Sequence, residues 1–109
     1  MTRQLSVKLH SSSLIARIAA CKLKERSVAI TIGRHICLYG ISKEDFLKDK
    51  SWVCHELAHV EQYAQHGFLR FIFLYLKESR KNGYFNNRFE ADARNREQEF
   101  SLLEKYAIA

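Results

Sequence analysis

Proline is absent from the 109 residues, and glycine occurs only at Gly33, Gly40, Gly67 and Gly83. So few breakers favour helices joined by short, tight turns. The three cysteines, Cys21, Cys37 and Cys54, are an odd number with no CxxC spacing. That excludes a disulfide framework and fits a reducing, cytoplasmic compartment. No apolar run approaches the length of a transmembrane segment. Ile18-Ala19-Ala20-Cys21 looks like a lipoprotein cleavage box, but the apolar stretch before it is short and broken by Arg17. No signal peptide is read there.

Acidic residues are scarce at the start. Residues 1–40 carry Arg3, Lys8, Arg17, Lys22, Lys24, Arg26 and Arg34 against the single acid Glu25. The remainder balances 11 basic against 11 acidic side chains, so the whole net charge of +6 lies in the first 40 residues. Such a face attracts anionic partners or is simply solvated. No recognition motif and no interleaved aromatics accompany it, so no specific nucleic-acid partner is expected.

What is present is a foldable chain of one domain, residues 1–109, with 47% apolar and 28% charged side chains. Residues 11–25 read as a helix after a serine cap, with Leu14, Ile15, Ile18, Ala19 and Lys22 on one face. Residues 27–32 and 35–39 are β-branched and apolar around Gly33-Arg34, a hairpin signal. Ser42 and Asp45 form a capping box for a short helix. A longer helix is expected over 50–66, stopped by Gly67, and another over 68–82. The latter's first half, FLRFIFLYL, is apolar nearly all round. It is expected to pack in the core or to form a surface for self-association, as in a homodimer. A last helix, capped by Asn86 or Asn87, is expected from Arg88 to about Tyr106. The order is α-β-β-α-α-α, an α+β chain with a small antiparallel β-sheet.

The chemistry sits in SWVCHELAHVEQ, residues 51–62. His55 and His59 stand at i and i+4, so both imidazoles leave one helix face about 6 Å apart at the backbone and can reach one ion. Glu56 is turned about 100° from His55, beside the metal axis, where a carboxylate can take a proton from a metal-activated water. The pattern is H-E-x-x-H, with zinc as the expected metal. A third ligand is needed. His66 lies on the same helix, roughly 10 Å beyond His59, too far to share the ion. NRFEADAR, residues 87–94, offers Glu90 or Asp92. They point about 200° apart, so only one faces the metal. Glu90, next to the small residue Ala91, is preferred. Cys54 points off the ligand axis and reads as a buried structural thiol.

These residues carry a resemblance. The AITIG strand, HELAHVEQ, the apolar GFLRFIFLYL and GYFNNRFEADAR together resemble the minigluzincins, small gluzincin-type HExxH zinc metallopeptidases, and a small uncharacterised bacterial HExxH domain. The likeness spans residues 28–97. It implies a minimal zincin-like domain with about four helices: a backing helix, the active-site helix, the apolar helix and the glutamate helix. It implies zinc held by His55, His59 and Glu90, with Glu56 as the catalytic base in the hydrolysis of a peptide or protein substrate. It also implies an edge strand within residues 28–39 that pairs with extended peptide. In some members a terminal segment fills the cleft and makes the enzyme latent, a role that would fall here to the tail around Tyr106–Ala109. The chain departs from larger relatives in lacking a second subdomain. For the group that stabilises an oxyanion, only His35, His66 or Tyr84 could substitute. Arg94 stands where a carboxylate orienting a ligand histidine would be expected, which leaves Asp92, Glu97 or a carbonyl for that work. These departures favour, as the other reading, a zinc-bound but inactive interaction module of a larger assembly.

Overall fold

In a computed structural model of the protein, residues 4–109 are described; Arg3, one of the basic residues counted above, lies outside them. The elements run β1 (Leu5–His10), α1 (Leu14–Leu23), β2 (Val28–Ile32), β3 (His35–Tyr39), α2 (Lys43–Lys48), α3 (Lys50–His66), α4 (Phe68–Asn82), α5 (Arg88–Asn95), α6 (Ser101–Lys105) and β4 (Tyr106–Ile108). The fold is α+β, as the sequence implied. The sheet, however, is mixed. Its order is β2-β3-β1-β4, with only β2 and β3 antiparallel and β1 parallel to both its neighbours. The expected antiparallel sheet is thus only its hairpin, and the helices number six among the described residues, where about four were expected.

Two-residue alternation sorts the sheet's faces. From β3, Ile36 and Leu38 join Val7, Leu9, Leu57 and Val60 in the main core under α3, while Cys37 meets Ala16 and Ala20 of α1 on the other face. In β2, Val28 faces α1, Ala29 packs on the main core, and Thr31 reaches α3. Gly40 ends β3 at φ +78°, and a Cβ there would lie 2.0 Å from the carbonyl oxygen of Arg26. Only glycine fits that crossing.

Helix starts follow the caps. The side chains of Ser42, Asp49 and Asn87 accept from the backbone N–H of Asp45, Trp52 and Phe89. Asn87 is fully buried and also donates to the carbonyl of Tyr75 and the hydroxyl of Ser79, locking the start of α5 onto α4.

Three expectations are corrected. On α1 the buried face is Ala16 and Ala20, whose small side chains let the helix lie close to the sheet, and the larger Leu14, Ile15 and Ile18 point outward. On α4 only Phe71 is buried, while Leu69 is 78% and Phe73 64% exposed, which overturns core packing, one of the two readings given for this helix, and leaves the surface for self-association. The last helix ends at Asn95 and not near Tyr106. A turn follows, then α6, and Tyr106–Ile108 become β4 beside Leu5–Val7. The tail therefore lies at the sheet edge away from β2, not in the cleft described below.

Leu102 and Tyr106 are 3% and 4% exposed in the main core. Losing either costs roughly 2–5 kcal/mol against a domain stability of about 5–15 kcal/mol. Deleting residues 100–109 is expected to abolish the cooperative thermal transition read by circular dichroism. A truncated chain that melts like the full one would contradict this placement of the tail.

Candidate metal centre

α3 carries His55 and His59 one turn apart, on the side that packs against α5. Glu90 stands in the first turn of α5 and is 4% exposed. Its Oε1 lies 3.0 Å from His55 Nε2 and 3.2 Å from His59 Nε2. The three ligand atoms lie within 4.8 Å of one another. Of the two acids left open by the sequence, the helix has turned Glu90 inward. Asp92 instead accepts from Gln62 Nε2 at 2.9 Å.

Each histidine is held from behind. His55 Nδ1 is 2.8 Å from Glu97 Oε2, and His59 Nδ1 is 2.8 Å from Gln62 Oε1. Both partners are acceptors, so both Nδ1 atoms carry the proton and both Nε2 atoms are the ones turned to Glu90. Gln62 is itself fixed, donating to the Phe89 carbonyl at 3.1 Å and to Asp92. Glu90 Oε2 accepts from the Tyr75 hydroxyl at 2.5 Å. Glu97 and Asp92 thus share the orienting work expected of one of them. Arg94 does none of it: it donates to the Phe85 carbonyl and stacks on the Phe85 ring.

The electrostatics follow from crowding acids and imidazoles in a partly dry site. Burial alone would lower His55, but hydrogen bonds to Glu90 and Glu97 and the charges of Glu56 and Glu90 outweigh it and raise the imidazole to about 9. His59 is also raised against its burial, by hydrogen bonds to Glu90 and Gln62 and by the charges of Glu56 and Glu90. Burial would raise Glu90, yet hydrogen bonds from both histidines and Tyr75 hold it well below the carboxylate range. Glu56 goes the other way. It is 4% exposed, and burial raises it despite the two imidazoles and the Thr31 hydroxyl 2.8 Å from Oε1.

His55, Glu56, His59 and Glu90 all open onto a cleft of about 1150 Å³. β2 forms one side of it; Phe71, Ile72, Tyr75 and Leu76 of α4 line the cleft too. Tyr84 lies on this cleft, whereas His35 pairs with His10 on the exposed sheet end and His66 packs against Phe71 and Phe89. Of the three substitutes weighed for the oxyanion, only Tyr84 is in place. Cys54 is buried, its Sγ 3.5 Å from the Glu99 carbonyl.

Sequence reasoning missed Thr31, Gln62 and Tyr75. Gln62 carried a signal, since it follows His59 by three residues on the same helix face. Thr31 carried a weaker one, as the polar residue on the inward side of an apolar strand. Tyr75 was hidden in the apolar run.

Fold and site together define a small α+β domain with a largely buried two-histidine, one-carboxylate donor set beside an acid. The family whose pattern matches is described as the eCIS core domain, over residues 5–67. That is more than half of the chain, and the chain belongs to the eCIS core domain family. The match takes in β1 to α3, with His55, Glu56, His59 and Gln62, and ends before Glu90. No curated protein and no solved structure matches the chain.

Two imidazole nitrogens and one carboxylate oxygen are the donor set of a three-ligand zinc site, and the fixed Nδ1 partners suit such a site. The purified protein is expected to hold near one zinc per chain by mass spectrometry, lost in Glu90→Ala and kept in Asp92→Ala. Zinc retained in Glu90→Ala would remove that residue from the ligand set.

Without metal, the same charges set a pH dependence. His55 moves from 6.5 to about 9 on folding, so its contribution is full below pH 6.5 and is lost as pH rises through 9. The raised Glu56 acts in the same direction, because the folded state binds its proton more tightly. Glu90 is lowered from 4.5, so its contribution is present above pH 4.5 and fades on acidification. The metal-free protein should melt at a lower temperature above pH 9 than at pH 6.5. A flat melting curve across that interval would count against the pairing.

Proposed function

We propose that this chain is a zinc-dependent, gluzincin-like peptidase that hydrolyses peptide bonds with Glu56 as general base. The observation that carries the reading is the convergence of His55, His59 and Glu90 on one point of an open cleft, with Glu56 beside them. Zinc held by those three residues would polarise a carbonyl and lower the pKa of water.

The chain's own groups supply the rest. Glu56, its proton affinity raised by burial, takes a proton from the attacking water and passes it to the leaving amine. Thr31 holds Glu56 Oε1, and Tyr75 holds the far oxygen of Glu90. Tyr84 is the group in the cleft that can donate to a developing oxyanion. Among the described residues β2 pairs only with β3, so its other edge can add an extended peptide strand along the cleft. A peptide or protein is the proposed substrate, and a second copy is the proposed partner of the bare α4 face. The free thiols Cys21, Cys37 and Cys54 support a cytoplasmic setting. No helix among the described residues is long and apolar enough to cross a membrane.

A second reading is favoured by the eCIS core assignment: a zinc-bound but inactive module within a larger assembly. One comparison separates the two. Wild type should cleave members of a peptide library, and Glu56→Gln should lose about 10²- to 10⁴-fold in rate while keeping its zinc. Cleavage unchanged in Glu56→Gln sinks the catalytic role. Zinc-loaded wild type that cleaves nothing favours the assembly module.

A further inference from the structure

Glu61 lies five residues beyond Glu56 on α3, about 140° around the helix and away from the cleft. Its carboxylate is nonetheless the most heavily engaged acid outside the site. One oxygen accepts from Arg96 Nη2 and the other from Lys105 Nζ, and the Tyr106 hydroxyl stands 3.3 Å from the second. Burial would raise this group, but the hydrogen bonds from Lys105 and Arg96 keep it below the usual carboxylate range.

Arg96 caps the C-terminus of α5, just after Asn95, and opens the turn that carries Glu97. The same guanidinium donates through Nε to Glu99 Oε2 at 2.7 Å, so it spans the turn and α3 together. Apart from Arg96–Glu61 and the Glu97–His55 contact itself, the turn's side-chain ties to α3 are the neutral ones of the Cys54 thiol on the Glu99 carbonyl at 3.5 Å and of Gln98 Nε2 on Ser51 Oγ at 2.9 Å. Against those two neutral ties, the Arg96–Glu61 pair is ionic and the stronger. Glu97, held by that turn, places Oε2 2.8 Å from His55 Nδ1.

The geometry points to Glu61 as a positioning residue for the metal centre: through Arg96 it fixes the turn that aims Glu97 at His55, and so sets the direction of the His55 imidazole. This rests on reading the triad as a metal site. Glu61 has two arms with separate tasks. The Arg96 arm serves His55. The Lys105 and Tyr106 arm fastens α6 and β4 to α3 and serves the sheet.

The test compares Glu61→Gln, Glu97→Gln, their double variant and Lys105→Met by competition for zinc with a chelating dye. Glu61→Gln and Glu97→Gln should each weaken zinc binding about 10-fold or more. The double variant should lose no more than Glu97→Gln, because both act on one path. Lys105→Met should melt earlier with its zinc affinity unchanged. If Glu61→Gln does not fold, Arg96→Met should show the same loss and Arg96→Lys should recover part of it. A Glu61→Gln affinity within about twofold of wild type, or a double variant whose loss is the product of the two single losses, overturns the proposal. The ¹⁵N shift of His55 Nδ1, read in the metal-free proteins by nuclear magnetic resonance, tests the same path without zinc. It should move alike in Glu61→Gln and Glu97→Gln, and no movement in Glu61→Gln overturns the proposal. A wild type that binds no zinc but shows these shifts loses the metal reading and keeps the positioning path.

Discussion

A buried carboxylate oxygen with two imidazole nitrogens within 3.2 Å of it cannot sit in a protein interior unless each group is balanced and aimed. Most of the second half of the fold answers that demand. Asn87 stops α5 from sliding on α4, so Glu90 enters at a fixed height. Gln62 and Glu97 hold the two rings from behind, and Tyr75 fixes the far carboxylate oxygen. α4 leaves most of its apolar surface in solvent, yet it contributes Tyr75 and the Asn87 contacts. Its value to the domain is at the site more than in the core.

The site was partly legible in the sequence because helical spacing is a strong geometric constraint. His55, His59 and Glu56 follow from a 3.6-residue period alone, and Glu90 follows once a later helix is needed to complete the donors. Gln62 obeyed the same period but lacked a chemical flag. Thr31 and Tyr75 reach the site through tertiary packing, which no local pattern reports. The hairpin was legible for a similar reason, since β-branched runs around Gly33 leave few alternatives. β1 showed its alternation, with Val7 and Leu9 inward and Lys8 and His10 outward, but six residues before a helix cap are a faint signal. β4 had no readable signal. Three residues that continue a helical-looking run become a strand only because β1 offers them an edge. The end of α5 was equally silent, with no proline or glycine to mark it; the turn is held by the side chains of Arg96, Gln98 and Cys54. On α1 the error was one of size. Large apolar residues suggested the buried face, but close approach to the sheet selected Ala16 and Ala20.

The cleft joins these halves. β2 gives it a strand edge, α3 its acid and histidines, α4 an apolar wall, and α5 the carboxylate of Glu90. A volume of about 1150 Å³ suits several residues of an extended chain better than a small metabolite. Among the described residues, the basic excess of the first 40 touches it only through Lys22. For the proposed peptide substrate, selection inside the cleft would rest on shape and apolar contact more than on charge.

The pairing of Leu5–Val7 with Tyr106–Ile108 also has a consequence in time. β1 sits between β3 and β4, and its second neighbour is made about 100 residues later, as the Gln4–Glu104 contact across 100 positions shows. Contacts so distant along the chain form late. During synthesis the two histidines leave the ribosome first, Glu90 next, and the strand that seals the sheet and anchors Glu61 last. An ion met by the nascent chain would find a two-histidine half-site before a closed one, so capture of a metal by the proposed site and the completion of the fold would be successive events on one emerging chain.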